Sequence, residues 1–205
     1  MCVFLTSKGI TTPSGDSLIV IVATGDTPID YSMDDLTFTN IDAEYIFYIE
    51  GIAEIDLGSG LTIDTIDKLI GAKDPSGIAV SNGAFSDFNT LFDLTFEDSG
   101  TTFTMEITNM SFSNGVQVVA IDIDDSITSD DLTLTLSNVS FSDFNLTEHI
   151  FDIDTGGGSA VFTMESVSFS NILSEHSNDS YFISIEGANA ISISDVTVTG
   201  STRIP

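Results

Sequence analysis

Apolar residues recur along this chain in short alternating pairs, not at helical spacing. Met105, Ile107, Met110 and Phe112 form two pairs, each of period two, with one extra residue between them. Leu134, Leu136, Val139 and Phe141 repeat the arrangement. Period two over short runs rich in β-branched and aromatic residues predicts strands. The full ten-residue unit reads apolar-x-apolar-x-turn-apolar-x-apolar-Ser/Thr-turn, and it fits residues 31–40, 78–87, 105–114, 134–143, 162–171 and 191–200. Its last apolar position holds Phe38, Phe85, Phe112, Phe141, Phe169 and Val198, and the last five are 27, 29, 28 and 29 residues apart. A period in this range predicts a stacked repeat.

The residue between the pairs must turn the chain while both pairs keep facing inward. That position holds Asp35, Asn82, Asn109, Asn138, Ser166 and Asp195. Asn and Asp tolerate left-handed backbone and bond their own turn, which suits a one-residue corner. A second corner, two residues after the aligned apolar position, holds Asn40, Asp87, Asn114, Asp143, Asn171 and Gly200. A third strand, at 92–96, 119–123, 150–153 and 182–185, precedes the next pair. The prediction is a single all-β domain: a right-handed parallel β-solenoid, three strands per turn, about six to seven turns of 27–29 residues. Residues 18–200 form it, residues 1–17 are an irregular cap or partial turn, and 201–205 are a tail. Phe38 and Phe85 are 47 residues apart, which predicts an insertion within 51–77. There, residues 61–70 are either an extra strand pair or a short helix. Neither end carries an amphipathic capping helix, so a longer parent chain or end-to-end stacking of subunits is expected.

With its Asn corners, this pattern resembles the right-handed parallel β-helix of pectin-lyase-like proteins, whose corners form an asparagine ladder. The Ser-Phe-Ser-Asn units at 111–114 and 168–171 and the glycines at 156–158 look like repeats of large secreted and surface β-helix proteins. The resemblance covers roughly residues 18–200. It implies a surface or secreted repeat type and not an enzyme, but it is a likeness of architecture, which carries little about function.

Charge narrows the partners. The chain has 32 acidic and 4 basic residues, a formal net charge of −28, and no Lys or Arg between Asp74 and Thr202. Such a surface repels nucleic acid and anionic membrane. No apolar run reaches the roughly 20 residues of a membrane-spanning helix. Hydrophobic residues make up 41% of the 205, enough for one sizeable core. The single cysteine, Cys2, excludes an intrachain disulfide framework. Four sequons, at Asn109, Asn138, Asn145 and Asn178, are compatible with secretion and glycosylation. Asn109 and Asn138 are also corner residues, which would hide them. Asn145 and Asn178 sit in loops and are the better glycan candidates.

Three surface features are candidate sites. Residues flanking the aligned apolar position point outward: Thr37/Thr39, Ala84/Ser86, Ser111/Ser113, Ser140/Ser142, Ser168/Ser170 and Thr197/Thr199. Stacking at about 4.8 Å per turn would make them a flat double row of hydroxyls. Regular Thr-x-Thr arrays occur in ice-binding solenoids, so this row fits sugar or ice recognition; the plainer reading is a solvated face of good β-propensity or O-glycosylation sites. The third strand points Asp93, Asp122/Asp124, Asp152/Asp154 and Glu186 outward. Either solvent and salt screen these charges or a cation such as Ca²⁺ bridges them. His149 and His176 fall at nearly the same phase of consecutive turns and, with carboxylates, could hold a transition metal.

No catalytic residue is assigned. Polysaccharide lyases of this fold need an Arg or Lys near the acidic cluster, whereas Lys8, Lys68, Lys73 and Arg203 all lie far from it in sequence. The expectation is a non-catalytic extracellular structural or adhesive module, as a subunit of a surface fibre or filament. It would need no cofactor unless Ca²⁺ binds. It would self-associate end to end or contact other surface proteins and glycans. A carbohydrate- or ice-binding protein is the first alternative and a polysaccharide-acting enzyme the second.

Overall fold

The computed structural model describes residues 6–8, 17–22, 29–33, 35, 37–51, 53–58, 62–97, 102–123, 131–146, 149–155, 158–174, 182–200 and 202–203. Among them every regular element is a strand, and every strand pairing is parallel. Each coil contributes three flat segments, and coils pair face to face with the coil above and below. The chain is therefore a parallel β-solenoid. Its buried core extends over about five turns, from Phe38 to Ile172. The structure thus has about five turns where the sequence pattern predicts six to seven. In the last coil Ile191, Ile193 and Val198 continue the inward columns yet remain 57%, 55% and 51% exposed.

The aligned apolar positions form one continuous column. Phe38 pairs with Ile63, Ile63 with Phe85, and Phe112, Phe141, Phe169 and Val198 follow in register. Phe112, Phe141 and Phe169 stack nearly parallel, with ring centroids 5.2 and 5.0 Å apart. Ile63 accounts for the long gap between Phe38 and Phe85. Residues 53–73 are a coil of their own, with strands Ala53–Leu57 and Thr62–Lys73 pairing to the coils on both sides. The extra length is thus a shorter coil and not an insertion into one.

Corner chemistry follows from backbone geometry. Asp35, Asn82, Asn109, Asn138, Ser166 and Asp195 all have φ between 52° and 57°. The second corner is left-handed throughout as well: Asn40, Asp87, Asn114, Asp143 and Asn171 at φ 52–59°, and Gly200 at 63°. Thr65, at φ 57°, fills the same corner in the short coil, an unfavourable choice for a β-branched residue. Side-chain amides bind from rung to rung. Asn109 Nδ2 donates to Asn82 Oδ1 (3.1 Å), Asn138 Nδ2 to Asn109 Oδ1 (3.3 Å), and Asn171 Nδ2 to Asp143 Oδ1 (3.1 Å). Asn109 and Asn138 nevertheless remain exposed.

One inward position is left empty so that its neighbours can meet. Gly115 lies between Phe88 and Phe144, whose rings pack edge to face at 5.8 Å. A Cβ at Gly115 would sit 2.3 Å from the Phe88 ring and 2.9 Å from that of Phe144.

Candidate functional site

Three outward faces result, and each carries different chemistry. On the hydroxyl face the register is continuous. One column runs Thr37, Thr62, Ala84, Ser111, Ser140, Ser168 and Thr197. Its neighbour runs Thr39, Asp64, Ser86, Ser113, Ser142, Ser170 and Thr199. The structure brings the candidate residues together as two parallel rows. It also adds the rung of Thr62 and Asp64, which the spacing alone did not show. Asp64 and Ala84 interrupt the hydroxyls, and Ser86 Oγ donates to Asp64 Oδ1 at 3.4 Å. From Ser111 to Thr199 the rows are uninterrupted: four rungs of paired hydroxyls without a charge.

On the third-strand face the acidic residues are spread out. Asp93 pairs with Gly71 and Ala120, Asp152 with Ala120 and Ser184, and Asp122 with Thr95. Asp154 faces Glu186 directly. Small and neutral neighbours separate most of the like charges, and like charges set opposite each other destabilise a sheet. Asp122, Asp152, Asp154 and Glu186 surround a notch of about 340 Å³ over Ala120. Among the described residues, no three of His, Cys, Asp and Glu are grouped so as to hold a metal ion. Asp124, His176 and Asn178 lie outside the described residues; His149 is half-buried, and Asn145 is exposed beside residues 173–174.

The basic residues, distant in sequence, are not all distant in space. Lys68 lies one coil before Asp93, and its Nζ donates to Asp93 Oδ2 at 2.6 Å and to Tyr45 Oη at 3.1 Å. Tyr45 Oη donates to the same Asp93 oxygen at 2.8 Å, and the ammonium sits 4.8 Å from the Tyr45 ring centre. Lys73 Nζ donates to Glu97 at 2.6 Å. Asp93 is thereby drawn into a paired cluster and out of the acidic group assigned from sequence. The signal that could have located it is a 25-residue separation, one turn, which becomes legible only once residues 53–73 are seen as a coil. Partial burial pulls the Lys68 ammonium down, but hydrogen bonds to Asp93 and Tyr45 and the Asp93 charge outweigh it. The net effect holds Lys68 well above the ordinary lysine range. Burial and Asp93 likewise raise Tyr45, against the hydrogen bond from Lys68. A lysine so held stays protonated near neutrality, which disfavours a role as proton acceptor.

The remaining face carries a trough of about 500 Å³. Gly77 and Ala79 occupy the outward positions of one coil, leaving a gap between Glu54 and Asp56 on one side and Thr104 and Glu106 on the other.

No protein-family model, curated protein or solved structure matches this chain. Its geometry defines the class: an all-strand parallel β-solenoid.

Proposed function

We propose that the chain is a non-catalytic structural or adhesive module of an extracellular or cell-surface protein, built as a stiff rod. The observation that carries the reading is the unbroken register of its columns, inward phenylalanines and outward hydroxyls alike, along the solenoid. A ladder of backbone bonds between coils resists bending, and the acidic, hydroxylated coat resists unwanted association. The likeness to surface-type pectin-lyase-like repeats supports it, as do the sequons. Partner classes that fit are other surface proteins or glycans and further copies joined end to end, as in a fibre. The test pairs electron microscopy of the purified chain with incubation on acidic and neutral polysaccharides. Rods or filaments without product release are expected. Release of reducing ends or of unsaturated product would overturn the reading in favour of a polysaccharide-acting enzyme.

A second reading is favoured by the uncharged run of paired hydroxyls from Ser111/Ser113 to Thr197/Thr199: recognition of carbohydrate or ice on that face. Glycan-array binding and ice-recrystallisation inhibition test it. Ser140→Arg with Ser142→Arg should abolish whichever signal is seen, and an undiminished signal would remove the face from consideration.

A further inference from the structure

We propose that Tyr45, Lys68 and Asp93 form an ionic clamp that makes the coils of residues 37–50, 62–73 and 77–96 open as one unit. The three side chains come from three successive coils, and each is bonded to the other two. Tyr45 reaches past the coil between it and Asp93. It can do so because Gly71, on that middle coil, has no side chain: a Cβ there would meet Tyr45 Cε1 at 2.4 Å. The first coil therefore cannot detach without breaking a bond to the third. Lys68 then locks the strap through both partners. The second described lysine side chain, Lys73, is on the same coil, opposite Glu50 in register and bonded to Glu97. One short coil thus supplies the cations that offset Glu50, Asp93 and Glu97 in a chain of net charge −28. Coils that share such bonds open cooperatively, and an ion-pair linkage at a part-exposed site weakens as salt screens it. The inference is independent of the functional reading above.

Native-state hydrogen exchange of the full chain, read segment by segment, tests the clamp. Residues 45–50, 62–73 and 77–97 should share one opening rate, and that rate should rise with salt relative to 131–142. Lys68→Gln should weaken the tie of 45–50 to the unit, leaving it the Tyr45–Asp93 bond alone, and speed its exchange roughly tenfold, as expected for loss of a charge-assisted hydrogen bond. Lys68→Arg should restore the shared rate and its salt response. Should Lys68→Gln fold poorly, Gly71→Ala, which displaces the Tyr45 ring without changing charge, is expected to free 45–50 alone. An unchanged profile, a salt-insensitive one, or faster exchange spread equally over 131–142 would overturn the clamp.

Discussion

Between residues 102 and 170 each coil repeats the one before it: Phe112 on Phe141 on Phe169, and serine on serine along the outer face. Between residues 29 and 97 the rungs differ. Ile63 stands in the phenylalanine column, Thr65 in the polar corner and Asp64 among the hydroxyls. Pairings among residues 102–170 keep one register throughout, whereas the pairing of residues 37–50 with 62–73 shifts between Ile41 and Tyr45. In the later coils, like residues stacked on like make each contact a copy of its neighbour. In the earlier ones, singular contacts make up for irregular rungs: Lys68 and Tyr45 on Asp93, and Lys73 on Glu97. Coils in a solenoid can thus be held by repetition in one register or, across a register shift, by individual side-chain ties.

The strongest challenge to this contrast is Phe141→Ala. Phe141 is fully buried and touches the rings of Phe112, Phe144, Phe151 and Phe169. Its truncation should cost about 3–5 kcal/mol in denaturant unfolding. A cost below that of a single methylene would mean that the stack contributes little.

Next are the two glycines, one in each region. Gly115→Ala presses on the buried rings of Phe88 and Phe144 and should destabilise by about 1–3 kcal/mol. Gly71→Ala presses on the half-buried Tyr45 ring, which can swing outward, so the thermal midpoint should fall less. Equal losses would erase the difference between the regions.

Alkaline titration separates them again. Lys68 and Tyr45 are both held above their ordinary values, so the stability they contribute is intact below about pH 10. It is lost as pH rises through their folded values. Unfolding midpoints should hold from neutrality to about pH 10 and then decline, and more shallowly in Lys68→Gln than in the parent. Identical alkaline slopes would remove the linkage.

The smallest effect expected is a gain. Thr65→Asn places a residue tolerant of left-handed backbone in the one β-branched corner among the described residues and should stabilise by about 1 kcal/mol. A loss in the thermal midpoint would show that Thr65 is held by its own contacts, including the bond from its Oγ1 to Asp64.

Much of this architecture was legible because repetition is a sequence signal. The corner positions from Asp35 to Asp195 and the phenylalanine column were readable since the same residue types return at nearly the same interval. Of the coil of residues 53–73 only a choice between an extra strand pair and a short helix at 61–70 was readable, since Ile63 and Thr65 replace the aromatic and the amide that mark the others. Missing that coil concealed the proximity of Lys68 to Asp93. The trough beside Gly77 and Ala79 escaped for another reason: a missing side chain becomes a cavity only when the coils on both sides are in place. The rung of Thr62 and Asp64 in the hydroxyl rows was hidden as well, since it lies within the short coil.

Stacked registration also makes the molecule divisible by whole laps. Thr104 aligns with Gly77 below and Thr133 above, and Phe112 with Phe85 and Phe141. Excising residues 104–132 would therefore splice Phe103 to Thr133 and set Phe141 against Phe85, healing every column at once. A shortened or lengthened cassette of this kind changes the solenoid's length while leaving its three surfaces aligned.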